Sequence, residues 1–202
     1  MDEVTAATRR ALHGVAELLL AGPQYRRSGT IRLRVVPGGF GTVAEPDLRV
    51  EGAVLVAGDR RLPLAGTYAE LGAAAGVDPG APEGLYHDGS GAAPGDEITV
   101  DAAAAARLAE SLAIGEEALL AFAPGLTPVL WPEHFDLAVT LDEVNYGISP
   151  GDGHLPEPYA YVGPWTPRTG PFWNAPFGAS RPLRELGGAQ AVRAFFEQGR
   201  TA

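Results

Sequence analysis

The chain contains no cysteine and no lysine, and only one methionine. Without cysteine there is no disulfide framework, no thiolate nucleophile and no cysteine-ligated zinc. Positive charge is also scarce. Fifteen basic residues, all arginine, face 25 acidic ones, for a net charge of −10. That balance excludes a nucleic-acid backbone or an anionic membrane as the expected partner. No apolar run approaches the roughly 20 residues that cross a bilayer. Arg9-Arg10 followed by ALHGVAELLLAG has the outline of an export signal, but His13 and Glu17 interrupt it. No small-residue cleavage site follows, so an amphipathic first helix and a cytoplasmic protein are expected.

What is present is a folding composition: 202 residues, 46 % hydrophobic and 20 % charged. This suits one domain, or two small subdomains at 1–76 and 97–202 joined by a loop at 77–96. The patterning predicts an α+β fold, mainly antiparallel sheet with packed helices, in two helix-plus-meander halves. Helical spacing of Val4, Ala7, Ala11, Val15 and Leu18 predicts a helix over 3–21, stopped by Gly22-Pro23. Alternation predicts a strand over Thr30–Val36 and a hairpin over Asp47–Leu64 turning at Gly58-Asp59. Thr67 caps a short helix that ends near Gly76. Val77–Asp96, rich in Pro and Gly, reads as the joining loop, or as a lid carrying Tyr86-His87-Asp88. A long helix follows, capped by Thr99 or Asp101, with Leu108, Leu112, Leu119 and Phe122 as its buried stripe. A terminal helix over Gly187–Gln198 packs Val192, Phe195 and Phe196.

The run Leu130–Ala179 holds all three tryptophans amid carboxylates, prolines and glycines. Within it, Pro132–Asp142 is expected to be a strand. Phe135, Leu137, Val139 and Leu141 lie on one face, and His134, Asp136, Ala138, Thr140 and Asp142 on the other. A second strand, Glu157–Gly163, places Glu157, Tyr159 and Tyr161 together. An imidazole and a carboxylate at i, i+2 form an acid–base or metal pair.

The run therefore predicts a small-molecule pocket, catalytic or not. Glu133, His134 and Asp136 are the reactive candidates. Trp131, Asn145, Tyr146, Tyr159, Tyr161, Trp165, Trp173 and Asn174 are the ligand-binding candidates, with Phe172 and Phe177 as further walls. One alternative is an interaction protein that uses the same Pro-Trp-Tyr surface. A second is a metal-dependent enzyme built on His134 and Asp136, with Asp142, Glu143, Asp152 and His154 as further ligands. No H-E-x-x-H pattern or EF-hand spacing is present, so no resident metal is expected. No cofactor is implied.

Two motif matches are excluded. Gly147-Ile148-Ser149-Pro150-Gly151 fits G-x-S-x-G, but Pro150 lacks the N–H that a nucleophile elbow needs after its serine. Gly38-Gly39-Phe40-Gly41-Thr42 is neither a dinucleotide nor a Walker loop, and reads as a turn or bulge.

The segments PGGFGT, WPEHFDLA, VNYGISPGD, PYAYVGPW and FWNAPFGA together resemble those of an actinobacterial family to which no activity is assigned. The resemblance covers most of the chain. WPEHFDLA is more distantly similar to a second group of bacterial domains of unknown function. The resemblance implies lineage and carries no catalytic residue with it.

Overall fold

The computed structural model describes residues 2–202. The protein is α+β, and its strand pairings are antiparallel. It divides into two compact units interleaved along the chain. Unit 1 comprises 1–110 and 130–135, and unit 2 comprises 111–129 and 136–202. The segment 77–96, expected to join two halves, lies within unit 1.

Unit 1 opens with helix α1 (Glu3–Gly14), whose first turn is capped by Asp2 accepting from the Thr5 amide at 2.7 Å. The helix does not stop at Gly22-Pro23. It widens into a π-helical stretch over Val15–Ala21 and continues as α2 (Gly22–Ser28) to Gly29 at φ +72°. A proline in a regular α-helix lacks its donor and clashes with the carbonyl four residues back. The wider π turn gives the Pro23 ring room, and the Leu18 carbonyl that Pro23 cannot serve accepts from the Gly80 amide, so the expected break moves to Gly29. All seven residues of the π stretch are buried, Glu17 included.

Six strands complete unit 1: β1 (Leu33–Val36), β2 (Gly39–Thr42), β3 (Leu48–Glu51), β4 (Val54–Ala57), β5 (Arg60–Pro63) and β6 (Val129–Trp131), in the order β5-β4-β3-β2-β1-β6. Val35, Phe40, Val50 and Leu55 pair successively across β1 to β4, giving the core row of the sheet. The sequence expectation needs two corrections here. In the glycine-rich segment, Gly38 turns the chain at φ +77° as expected, but Gly39–Thr42 is strand β2: a side chain at Gly39 would collide with the Val50 carbonyl of β3. The hairpin at 47–64 is three strands, because Gly52 at φ +60° turns the chain once more. Gln24, fully buried, ties helix to sheet edge: its amide donates to Thr30 and Arg32 carbonyls and its oxygen accepts from Val43 and Ala44. Helix α3 (Tyr68–Ala75) starts on a capping box between Thr67 and Glu70.

Helix α4 (Ala102–Phe122) is capped by Asp101 and passes from one unit into the other. In unit 2 its Phe122 packs on Tyr146, with ring centroids 4.6 Å apart, and its Gly115 lies against Ile148. The unit's sheet runs β7 (Asp136–Leu141), β8 (Val144–Ser149), β9 (Tyr159–Pro164), β10 (Ala179–Pro182). The β7–β8 turn is Asp142-Glu143, both at positive φ. Asn145-Tyr146-Gly147 is therefore strand. A one-turn helix α5 (Leu183–Leu186) precedes helix α6 (Ala189–Thr201), whose buried residues include Val192, Phe195 and Phe196. Leu137 pairs with Ile148 and Val139 with Tyr146, so Leu137, Val139, Tyr146 and Ile148 form one buried face.

Candidate functional site

The opposite face of the unit 2 sheet is where polar groups collect. Strand alternation sends Asp136, Gly147, Tyr161 and Ser180 to that side, because Gly147 pairs with Tyr161 and Tyr161 with Ser180. Asp136 opens β7 and is buried to 9 % exposure. The Tyr161 hydroxyl donates to Asp136 Oδ2. The ring reaches it by crossing Gly147: a Cβ there would lie 2.6 Å from two Tyr161 ring carbons. Gly147 is the residue type that permits this close approach.

A second phenol–carboxylate pair stands beside the first. Tyr159, two residues before Tyr161, donates to Asp152 Oδ2 at 2.5 Å. Asp152 is set by its own loop, accepting from the amides of His154 and Leu155 through Oδ1. His154 Nε2 lies 3.2 Å from the Ser180 hydroxyl. Asn174 holds Ser180 from both sides, donating to its carbonyl and accepting from its amide. Phe177 stands edge-on to His154 at 4.9 Å and to Tyr161 at 6.3 Å.

The electrostatics follow from burial. Removal from water, then the Asp136 charge, hold Tyr161 well above the ordinary phenol pKa. Tyr159 is raised for the same first reason, followed by its hydrogen bond to Asp152. Both phenols are therefore neutral donors at physiological pH, committed to carboxylates. The carboxylates of Asp136 and Asp152 give this face its acceptors, and His154, beside Ser180, is the one basic side chain among the residues named here.

The sequence-derived candidates divide. Asp136, Tyr159, Tyr161 and Asn174 are brought together. Tyr146 belongs to the buried core face, between Phe122 and Phe196. Asn145 lies further along β8, bound by Thr140 at 2.8 Å and by the indole of Trp165 at 3.4 Å. Trp173 packs on Phe172, with Arg168 over its ring at 5.4 Å.

Trp131, Glu133 and His134 belong to unit 1. The expected strand over Pro132–Asp142 starts only at Asp136. Phe135 at φ +53° turns the chain, so His134 is on a turn and not on a strand face shared with Asp136. Its side chain is 62 % exposed, 3.8 Å from Glu133. Trp131 lies beneath the Arg32 guanidinium.

Sequence reasoning missed the roles of Ser180 and Gly147. Strand β10 carries no alternation of its own to reveal it. The signal available was the Tyr-x-Tyr spacing, which puts both rings on one face of β9. Among the described residues, no group of three His, Asp or Glu side chains is placed to hold a metal ion. None of the described helices is long and apolar enough to cross a membrane. Comparison with protein-family models, with curated proteins and with solved structures finds no match to this chain.

Proposed function

We propose that unit 2 binds a small organic molecule rich in hydrogen-bond donors, an amine above all, on its Tyr159–Tyr161 face. The observation that carries this reading is the Asp136–Tyr161 pair, a carboxylate and a phenol withdrawn from water on the face turned away from the core. Placing a charge there opposes stability unless it serves a ligand. The ring faces of Tyr159, Tyr161 and Phe177 supply the aromatic surface that an ammonium group favours. Asp136 is the anchor, Asp152 the second acceptor, and Asn174 with Ser180 the orienting pair. The proposal extends to a cytoplasmic protein of the actinobacterial family that the sequence resembles.

The experiment is a thermal-shift and calorimetric screen of small amines, polyols, carboxylates and phosphates. Amines are expected to bind, and Asp136→Asn or Tyr161→Phe to abolish binding while the fold persists. Binding of carboxylates or phosphates with equal response in both variants overturns the reading.

A second reading, an interaction surface, is favoured by one feature. Trp165 is 63 % exposed and Phe177 38 % exposed. On that reading a protein partner covers these rings, and Trp165→Ala removes the association without touching small-molecule binding.

A further inference from the structure

In unit 1 a carboxylate is buried deeper than Asp136. Glu17 is 3 % exposed, on the π stretch where the helix is widened around Pro23. π turns are uncommon and recur where a helix presents a side chain for a purpose. What shuts Glu17 from water is the segment 84–91. Ser90 donates to Glu17 Oε2 twice, through its amide at 2.8 Å and through its hydroxyl. Gly89 presses so closely that an added Cβ would collide with Glu17 Oε1. Tyr86 brings its hydroxyl to the same place, beside Glu17 and Glu133, whose charges add to burial in keeping the phenol protonated.

The attachment of this segment is uneven. Upstream, the backbone is fastened: Val77 N donates to the Gly72 carbonyl and Gly80 N to the Leu18 carbonyl of the π stretch. Downstream, the Pro94 and Asp96 carbonyls accept from Ala69 and Tyr68 amides, and Ile98 N reaches the Gly66 carbonyl. Between these anchors, the polar contacts from Gly84–Gly91 to the rest of the unit converge on Glu17: the two hydrogen bonds from Ser90 and the Tyr86 hydroxyl beside them. The span is bracketed by Gly84 at φ +73° and Gly91 at φ +71°, and nothing lies within 4 Å of where either Cβ would stand. Two left-handed glycines in open space are pivots that need displace no neighbour.

The closed position also seals the Tyr86 hydroxyl from solvent beside the Glu17 carboxylate. Opening returns both groups to water.

We propose that residues 85–90 are a hinged strap, swinging on Gly84 and Gly91, that gates access to the buried Glu17 carboxylate. On this proposal, the lid suggested by the Pro- and Gly-rich composition closes over a floor within unit 1. The titratable groups facing Glu17 under the strap are His13 of α1, Tyr86 of the strap itself and Glu133.

The test uses the full chain and two readouts: amide hydrogen exchange, and carbodiimide-driven labelling of carboxylates with glycinamide. In the wild type, the amides at 90 and 92 are expected to exchange faster than those of Val15–Ala21, and Glu17 to be labelled despite its burial. Ser90→Ala removes one charged hydrogen bond. It should speed exchange at position 90 and labelling of Glu17 by about tenfold or more. Gly89→Ala, by steric exclusion, should do so further. In both variants the amides of β1–β5 should stay as protected as in the wild type. Equal protection of the strap and the sheet in all three proteins overturns the proposal. So does a uniform rise in exchange across unit 1, which would make the segment an ordinary part of the core.

Discussion

The phenol of Tyr161 meets the carboxylate of Asp136 only because Gly147 puts no side chain between them. Three strands supply the three residues, and each contributes what the others cannot: a donor, an acceptor and a gap.

Gly147→Ala is expected to destabilise unit 2 by about 1–3 kcal/mol, since the new methyl meets both the Leu137 carbonyl at 2.6 Å and the Tyr161 ring. Tyr161→Phe keeps the ring and removes the donor, and should cost roughly 1.5–3 kcal/mol. Urea denaturation of the two single variants and the double variant checks this. Additive costs would show that Gly147 does not serve the Tyr161–Asp136 pair.

Leu137→Ala should cost about 2–5 kcal/mol. Leu137 is fully buried and pairs with Ile148, against which Gly115 of α4 packs. A loss below about 1 kcal/mol would mean that this face repacks freely, contrary to the fixed fit of Ile148 on Gly115.

Acid should weaken unit 1 through His13. Its Nε2 lies 2.7 Å from the Pro132 carbonyl, and burial lowers its pKa below 6.5. The unfolded chain then takes up a proton before the folded one does, so stability falls as pH drops below about 6.5. His13→Gln should flatten that part of the stability–pH curve. An unchanged slope would place the effect elsewhere.

Alkali should act through the tyrosines. Tyr68, buried with its hydroxyl donating to the Ala11 carbonyl, is pushed up to about 12. The folded state holds this proton longer than the unfolded state, so the contribution is complete below pH 10 and is lost as pH rises towards 12. A rise from 10.0 to about 12 is worth on the order of 2–3 kcal/mol. Tyr68→Phe should remove that share of the alkaline loss, followed by denaturation at successive pH values.

Periodicity made much of the fold legible. The stripe Leu108, Leu112, Leu119 and Phe122, the packing of Val192, Phe195 and Phe196, and the capping residue Thr67 are all as the spacing implies. What stayed hidden has a common cause: glycine and proline act through their surroundings. Gly39 and Gly41 looked like a loop and are a strand pressed on its neighbour, while Pro23 looked like a stop and sits in a widened turn. At the site, Tyr159 and Tyr161 were visible from their alternation. His134 was misplaced because a single positive φ at Phe135 breaks the strand rhythm, and no local pattern announces it.

The passage of α4 between units has a consequence for synthesis. Unit 1 takes its strand β6 from residues made after unit 2 has begun, so its N-terminal 110 residues emerge from the ribosome with β1 paired to β2 on one edge and open on the other. Until Leu130 appears opposite Leu33, that strand offers bare amides and carbonyls to any other chain nearby. That edge is therefore open for a short interval during translation, and its length is set by how fast the twenty codons from 111 to 130 are read.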